Sequence, residues 1–76
     1  MRHLVKRSFT LAGHRTSVAL EPDFWTVLDA LAAQRGEALA RLVAEVDGGR
    51  PDPTVPLASA LRVLALRTTI TGGNGA

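Results

Sequence analysis

At 76 residues the chain has room for one domain, and a domain that small buries only about 60% of its unfolded surface. It has no cysteine, so neither a disulfide nor a thiolate metal site reinforces the core, and association is the remaining common route to a larger one. A net charge of +2, a hydrophobic content of 46% and the lack of any apolar run near the ~20 residues of a membrane span exclude a disordered polyelectrolyte and a helical membrane protein.

The charge is unevenly placed. Residues 1–20 hold Arg2, Lys6, Arg7 and Arg15 and no acid. Residues 21–52 hold seven acids against Arg35, Arg41 and Arg50, and residues 53–76 add Arg62 and Arg67. A basic first quarter suits a polyanionic partner such as nucleic acid, although short basic N-termini are often simply solvated. The first 20 residues lack a continuous apolar stretch, so no leader is read and a cytoplasmic location is expected.

Residues 1–7 read as a flexible basic arm and residues 8–70 as the folded domain. Ser8-Phe9-Thr10-Leu11 is extended in character, with its apolar residues at odd positions. His14 to Leu20 places Val18 and Leu20 at even positions, and the alternation predicts a strand over about 15–20. A strand has a side-chain period of two, so Ala12-Gly13-His14 must shift the phase by a turn or a bulge. A small hairpin and one bent strand after an arm both remain open. An isolated strand also leaves its backbone groups unpaired, and the simplest partner is a second copy of the chain across a two-fold axis.

Pro22 in first-turn position, after Glu21, opens a helix predicted over 22–35. Phe24, Val27, Leu28 and Leu31 form its apolar stripe, Trp25 lies beside it to pack at its margin or against a partner chain, and Gly36 supplies a left-handed end. A second helix is predicted over 37–47 from Leu39, Leu42, Val43 and Val46. Gly48-Gly49-Arg50-Pro51-Asp52-Pro53 breaks the chain. A third helix, over 56–68, carries one stripe of Leu57, Leu61 and Leu64 and another of Val63, Leu66 and Ile70. Two stripes imply burial on two sides, the second against either the domain core or another chain. The glycine-rich end, 71–76, reads as a disordered tail.

Catalysis finds little footing. His3 and His14 lack a spaced carboxylate partner, no glycine-rich loop follows a strand into a helix, and the acids are scattered over helix surfaces. The expectation is a non-enzyme with no metal and no cofactor. What remains is a mostly α chain with a short N-terminal β-strand.

The run Arg15-Thr16-Ser17-Val18-Ala19-Leu20-Glu21-Pro22-Asp23-Phe24-Trp25, followed by Leu28, Leu31, Ala32 and Gly36, resembles the ribbon-helix-helix family of bacterial DNA-binding proteins. Lys6-Arg7-Ser8, Gly13-His14 and Ser59-Ala60-Leu61-Arg62 extend the likeness to a subgroup of short members over about residues 6–67. The resemblance implies an intertwined homodimer with an intermolecular antiparallel β-ribbon in the DNA major groove. It implies base contacts from Arg15, Ser17 and Ala19, and makes Lys6, Arg7 and His14 candidates for phosphate contacts. It also implies a dimer core of Val18, Leu20, Phe24, Leu28, Leu31, Leu39, Leu42 and Val43. The expected function is a sequence-specific transcriptional regulator acting on double-stranded DNA as a dimer, with assembly to a tetramer left open. The alternative is a protein-interaction module on the same fold, antitoxin-like or adaptor, with a protein partner on the third helix. One departure stands out. Where the family usually places a Ser or Thr near the start of the second helix, this chain has Gly36-Glu37-Ala38-Leu39, and the Glu37 charge opposes a phosphate.

Overall fold

The computed structural model describes residues 3–74, with side chains for residues 3–70. Two strands, β1 (Val5–Leu11) and β2 (His14–Leu20), precede α1 (Pro22–Arg35), α2 (Leu39–Gly48) and α3 (Leu57–Asn74). The strands form an antiparallel hairpin in which Val5 pairs with Leu20, Ser8 with Ser17 and Leu11 with His14. The two-residue turn between them has both residues at positive φ, Ala12 at 51° and Gly13 at 82°. Two left-handed residues match the right-handed twist of the strands, which is why such turns close tight hairpins.

This settles the phase problem. Each odd residue of β1 lies opposite an even residue of β2, so Phe9, Leu11, Val18 and Leu20 share one face and are all buried. It also decides the alternative left open for Ser8–Leu11 in favour of the hairpin, and it corrects one expectation. The strand that lacked a partner finds one in β1 of the same chain, so this edge of the ribbon is intramolecular. The arm expected at 1–7 is strand from Val5 onward, because Val5 faces inward and its carbonyl accepts a bond from Trp25. Met1 and Arg2 lie outside the described residues.

Helix α1 starts at Pro22 with Glu21 as an extended N-cap, and ends at Gly36, whose φ of 67° is left-handed. Its buried line is Trp25, Leu28 and Ala32, while Phe24 and Leu31 are half-buried. Trp25, expected at the margin, is only 2% exposed. The true stripe is turned slightly from the predicted one because the indole fits under the hairpin, tilted by 40° against the Phe9 ring with centroids 6.0 Å apart. Helix α2 begins at Leu39 rather than at 37, since Ala38 is extended and serves as the N-cap. Helix α3 runs on through 71–74, where a disordered tail was expected; residues 75 and 76 lie outside the described residues.

The helices cover the inner face of the hairpin, with α3 beside β2 and α2 beside β1. Leu20, Leu28, Leu42, Val43 and Leu61 are at most 1% exposed in the single chain. Five residues expected to form a dimer core (Val18, Leu20, Leu28, Leu42 and Val43) are thus buried within one copy, with α3 contributing Leu61 and Ala65. Phe24, Leu31 and Leu39 keep part of their surface. Among the described residues, no helix is long and apolar enough to cross a membrane.

Candidate nucleic-acid interface

The face of the hairpin turned away from the helices is built by the alternate residues of both strands. Lys6 lies beside Ala19, Ser8 beside Ser17 and Thr10 beside Arg15. All but Ala19, which is half-buried, are exposed. No acid stands among these six. The two serines are joined across the strands, Oγ to Oγ, at 3.0 Å. Lys6 and Arg15 sit at opposite corners, four residues apart along the ladder, or about 13 Å at strand rise. Among the described residues neither has an ion-pair partner, so both cations are free to meet an anion. Arg15, Ser17 and Ala19 therefore do share one face, as alternation requires. Ser8 and Thr10 join them. Sequence reasoning missed these two because β1 was read as an arm or extended stretch of undecided pairing; the odd phase of Phe9 and Leu11 was the signal that placed their neighbours outward.

The other phosphate candidates fall elsewhere. Arg7 is on the inner face, where its guanidinium lies 4.8 Å from the Trp25 ring centre. It also donates to both carboxylate oxygens of Asp29, at 3.0 and 3.2 Å. That fork fixes β1 on α1 and leaves Arg7 occupied. His14 is exposed at the turn end of β2, opposite Leu11.

The start of α2 lies at the second place of interest. Gly36 turns the chain left-handed, Glu37 N donates to Ala32 O at 3.0 Å, and Ala38 begins the helix without a side-chain cap. The opening amides of such a helix have no partner within it. Glu37 does not stand in front of them as a free charge. Its side chain is 12% exposed, with Arg35 at 3.6 Å and Arg41 at 3.5 Å. One of its oxygens has no hydrogen bond, so the pairing with Arg35 is by charge alone. Two guanidiniums offset the carboxylate, and Arg41 is itself 75% exposed on the first turn of α2.

At the other end of the hairpin, Glu21 links β2 to α1 and accepts from Arg62 of α3 at 3.0 Å. Its own backbone amide and the Arg62 guanidinium hold its carboxyl below the usual carboxylate value. Among the described residues no cluster of three or more His, Cys, Asp or Glu is arranged to hold a metal ion.

A family model described as "Ribbon-helix-helix domain" matches residues 4–69. Among solved structures, the chain is similar to an uncharacterized protein from Bordetella pertussis Tohama I, at 32% identity and a TM-score of 0.78. The match covers 95% of this chain and 60% of that one, so the chain spans less than two thirds of the length of its structural relative. No curated protein matches.

Proposed function

The chain belongs to the ribbon-helix-helix domain family, and from that membership we propose that it is a sequence-specific DNA-binding protein that regulates transcription. The observation that carries this reading is the outer face of the hairpin: polar, free of acids, with a cation at each of two opposite corners that has no ion pair among the described residues. A major groove about 12 Å wide admits a two-stranded ribbon. Arg15 can chelate a guanine edge, and Ser17, Ser8 and Thr10 can each donate or accept at base edges. The Ala19 methyl offers only an apolar contact, as to a thymine methyl. Lys6 and, at the turn, His14 serve phosphates, joined by Arg41 and the opening amides of α2. Arg7 acts one step back, by holding β1 in place.

The dimer that goes with this reading uses the free edge of β2. In the hairpin, the residues flanking the turn exchange hydrogen bonds, so those of His14, Thr16, Val18 and Leu20 point toward β1. The backbone groups of Arg15, Ser17 and Ala19 point the other way, and a two-fold axis at Ser17 sets Arg15 of each copy against Ala19 of the other. The ribbon then carries two arginines and two lysines on one surface, and the half-buried Phe24, Leu31 and Leu39 offer apolar surface to the second copy.

The test is selection of bound duplexes from random DNA by the purified protein, followed by titration of the winning sequence with wild type and Arg15→Ala. Enrichment of a defined motif, and a loss of about tenfold or more with relaxed preference at one base pair for the variant, is expected. A pool that stays random after selection contradicts sequence-specific reading.

A further inference from the structure

Helix α3 carries a second apolar line that the fold leaves uncovered. Val63, Leu66 and Ile70 are 46%, 56% and 58% exposed, on the side opposite the buried Leu61 and Ala65. Their spacing is that of a coiled-coil seam, with β-branched residues at the two a positions and leucine at d. The seam borders an open groove of about 540 Å³ between α2 and α3, floored by Leu42, Val46 and Leu64. Arg35, Arg50 and Arg67 line the groove against one acid, Glu45. Arg35 and Arg50 already pair with acids of α2, whereas Arg67 is exposed with no ion pair among the described residues.

The flanks decide what can cover this seam. In heptad terms Arg67 is the e residue beside Leu66 and carries no ion pair among the described residues, whereas Arg62, the g residue before Val63, is held by Glu21 and lies over the Phe24 ring. A second copy packed in parallel faces Arg62 with Arg67, and an antiparallel copy faces Arg67 with Arg67. The antiparallel arrangement sets two free arginines across the seam, and in the parallel one Arg67 meets a guanidinium already held by Glu21, so a second copy offers Arg67 no acid. A helix with acidic flanking residues meets both the apolar line and the basic margin. We propose that the outer face of α3, with the α2–α3 groove, is a docking site for an amphipathic helix of another protein that carries acidic residues beside its apolar stripe. The site is on the side of α3 away from the packed core, and it does not depend on the DNA-binding reading.

The probes are two labelled peptides of about three heptads, with Ile or Val at a and Leu at d. One has Glu at every e and g, the other Lys, so each repels its own copies and stays available for pairing. Fluorescence anisotropy with the full chain is expected to show binding of the Glu peptide and about tenfold or weaker binding of the Lys peptide. Leu66→Lys, at an exposed position, abolishes binding while the circular dichroism spectrum is unchanged. Arg67→Glu reverses the preference toward the Lys peptide. Equal binding of the two peptides, binding of neither, or an unchanged preference in Arg67→Glu overturns the proposal. So does a wild-type oligomer that Leu66→Lys dissociates in sedimentation, since the occupant is then a second copy.

Discussion

Ala12 holds a left-handed backbone conformation, φ 51°, that a residue with a β-carbon adopts at a cost of about 1–2 kcal/mol. Asparagine tolerates that position far better, and Asn-Gly is a preferred pair for this turn. Ala12→Asn is therefore expected to raise stability by about 1 kcal/mol in urea unfolding, with the hairpin register intact. Gly13→Ala is expected to lower it by a similar amount. Open space surrounds Gly13, so the loss comes from φ alone. Glu21 makes a second, pH-dependent prediction. Its carboxyl is held below its ordinary value by its own amide and Arg62, so its stabilising effect is present above the unfolded value near 4.5. That effect is lost as the pH falls through the lower folded value. The stability difference between wild type and Glu21→Gln is expected to be largest near neutral pH and to vanish in acid, as followed by denaturant titration. Asp52, held low by the hydroxyl and amide of Thr54, is unchanged between the two proteins and cancels.

Between elements, the hairpin is fastened to α1 by few but specific contacts. The indole of Trp25 donates to the Val5 carbonyl at 2.7 Å, and Arg7 bridges the Trp25 face and the Asp29 carboxylate. Trp25→Phe leaves that carbonyl without its donor and removes part of the stacked surface, at an expected cost of about 2–4 kcal/mol. The same change should raise amide exchange first in the opening residues of β1, measured by hydrogen–deuterium exchange. Helix ends were legible where the chain itself marks them: Pro22 opens α1 and Gly36 closes it. The strand β1 was harder to see because Lys6 and Arg7 look like solvated charge, and only the register shows that Arg7 points inward to an acid 22 residues away. The end of α3 was misread for the opposite reason. Gly72 and Gly73 are poor helix formers, yet the helix continues through them.

For the whole molecule, the single chain shows how much of the core one copy completes. An edge strand and a chain of 76 residues argued for a second copy. The fold answers with a hairpin on one side and the Leu61–Ala65 face of α3 on the other, so the principal core closes within one chain. Replacing Leu28, fully buried within one chain, by alanine is accordingly expected to cost about 2–5 kcal/mol, read by denaturant unfolding. A loss well below about 1 kcal/mol would contradict its place in a tightly packed core. The outer face was legible as Arg15, Ser17 and Ala19 from alternation alone. Its other half, Lys6, Ser8 and Thr10, depended on a pairing that periodicity left open.

The outer hairpin face as the DNA-binding surface is the claim on which the functional account rests. Its most direct test is the salt dependence of duplex binding by wild type and by the Lys6→Ala/Arg15→Ala double variant. Wild-type affinity should fall linearly on a log–log plot against salt, and the variant should bind more weakly with a shallower slope, by about one ion per lost phosphate contact. Equal affinities and equal slopes for the two proteins would contradict the account, because the DNA would then be held somewhere other than this face.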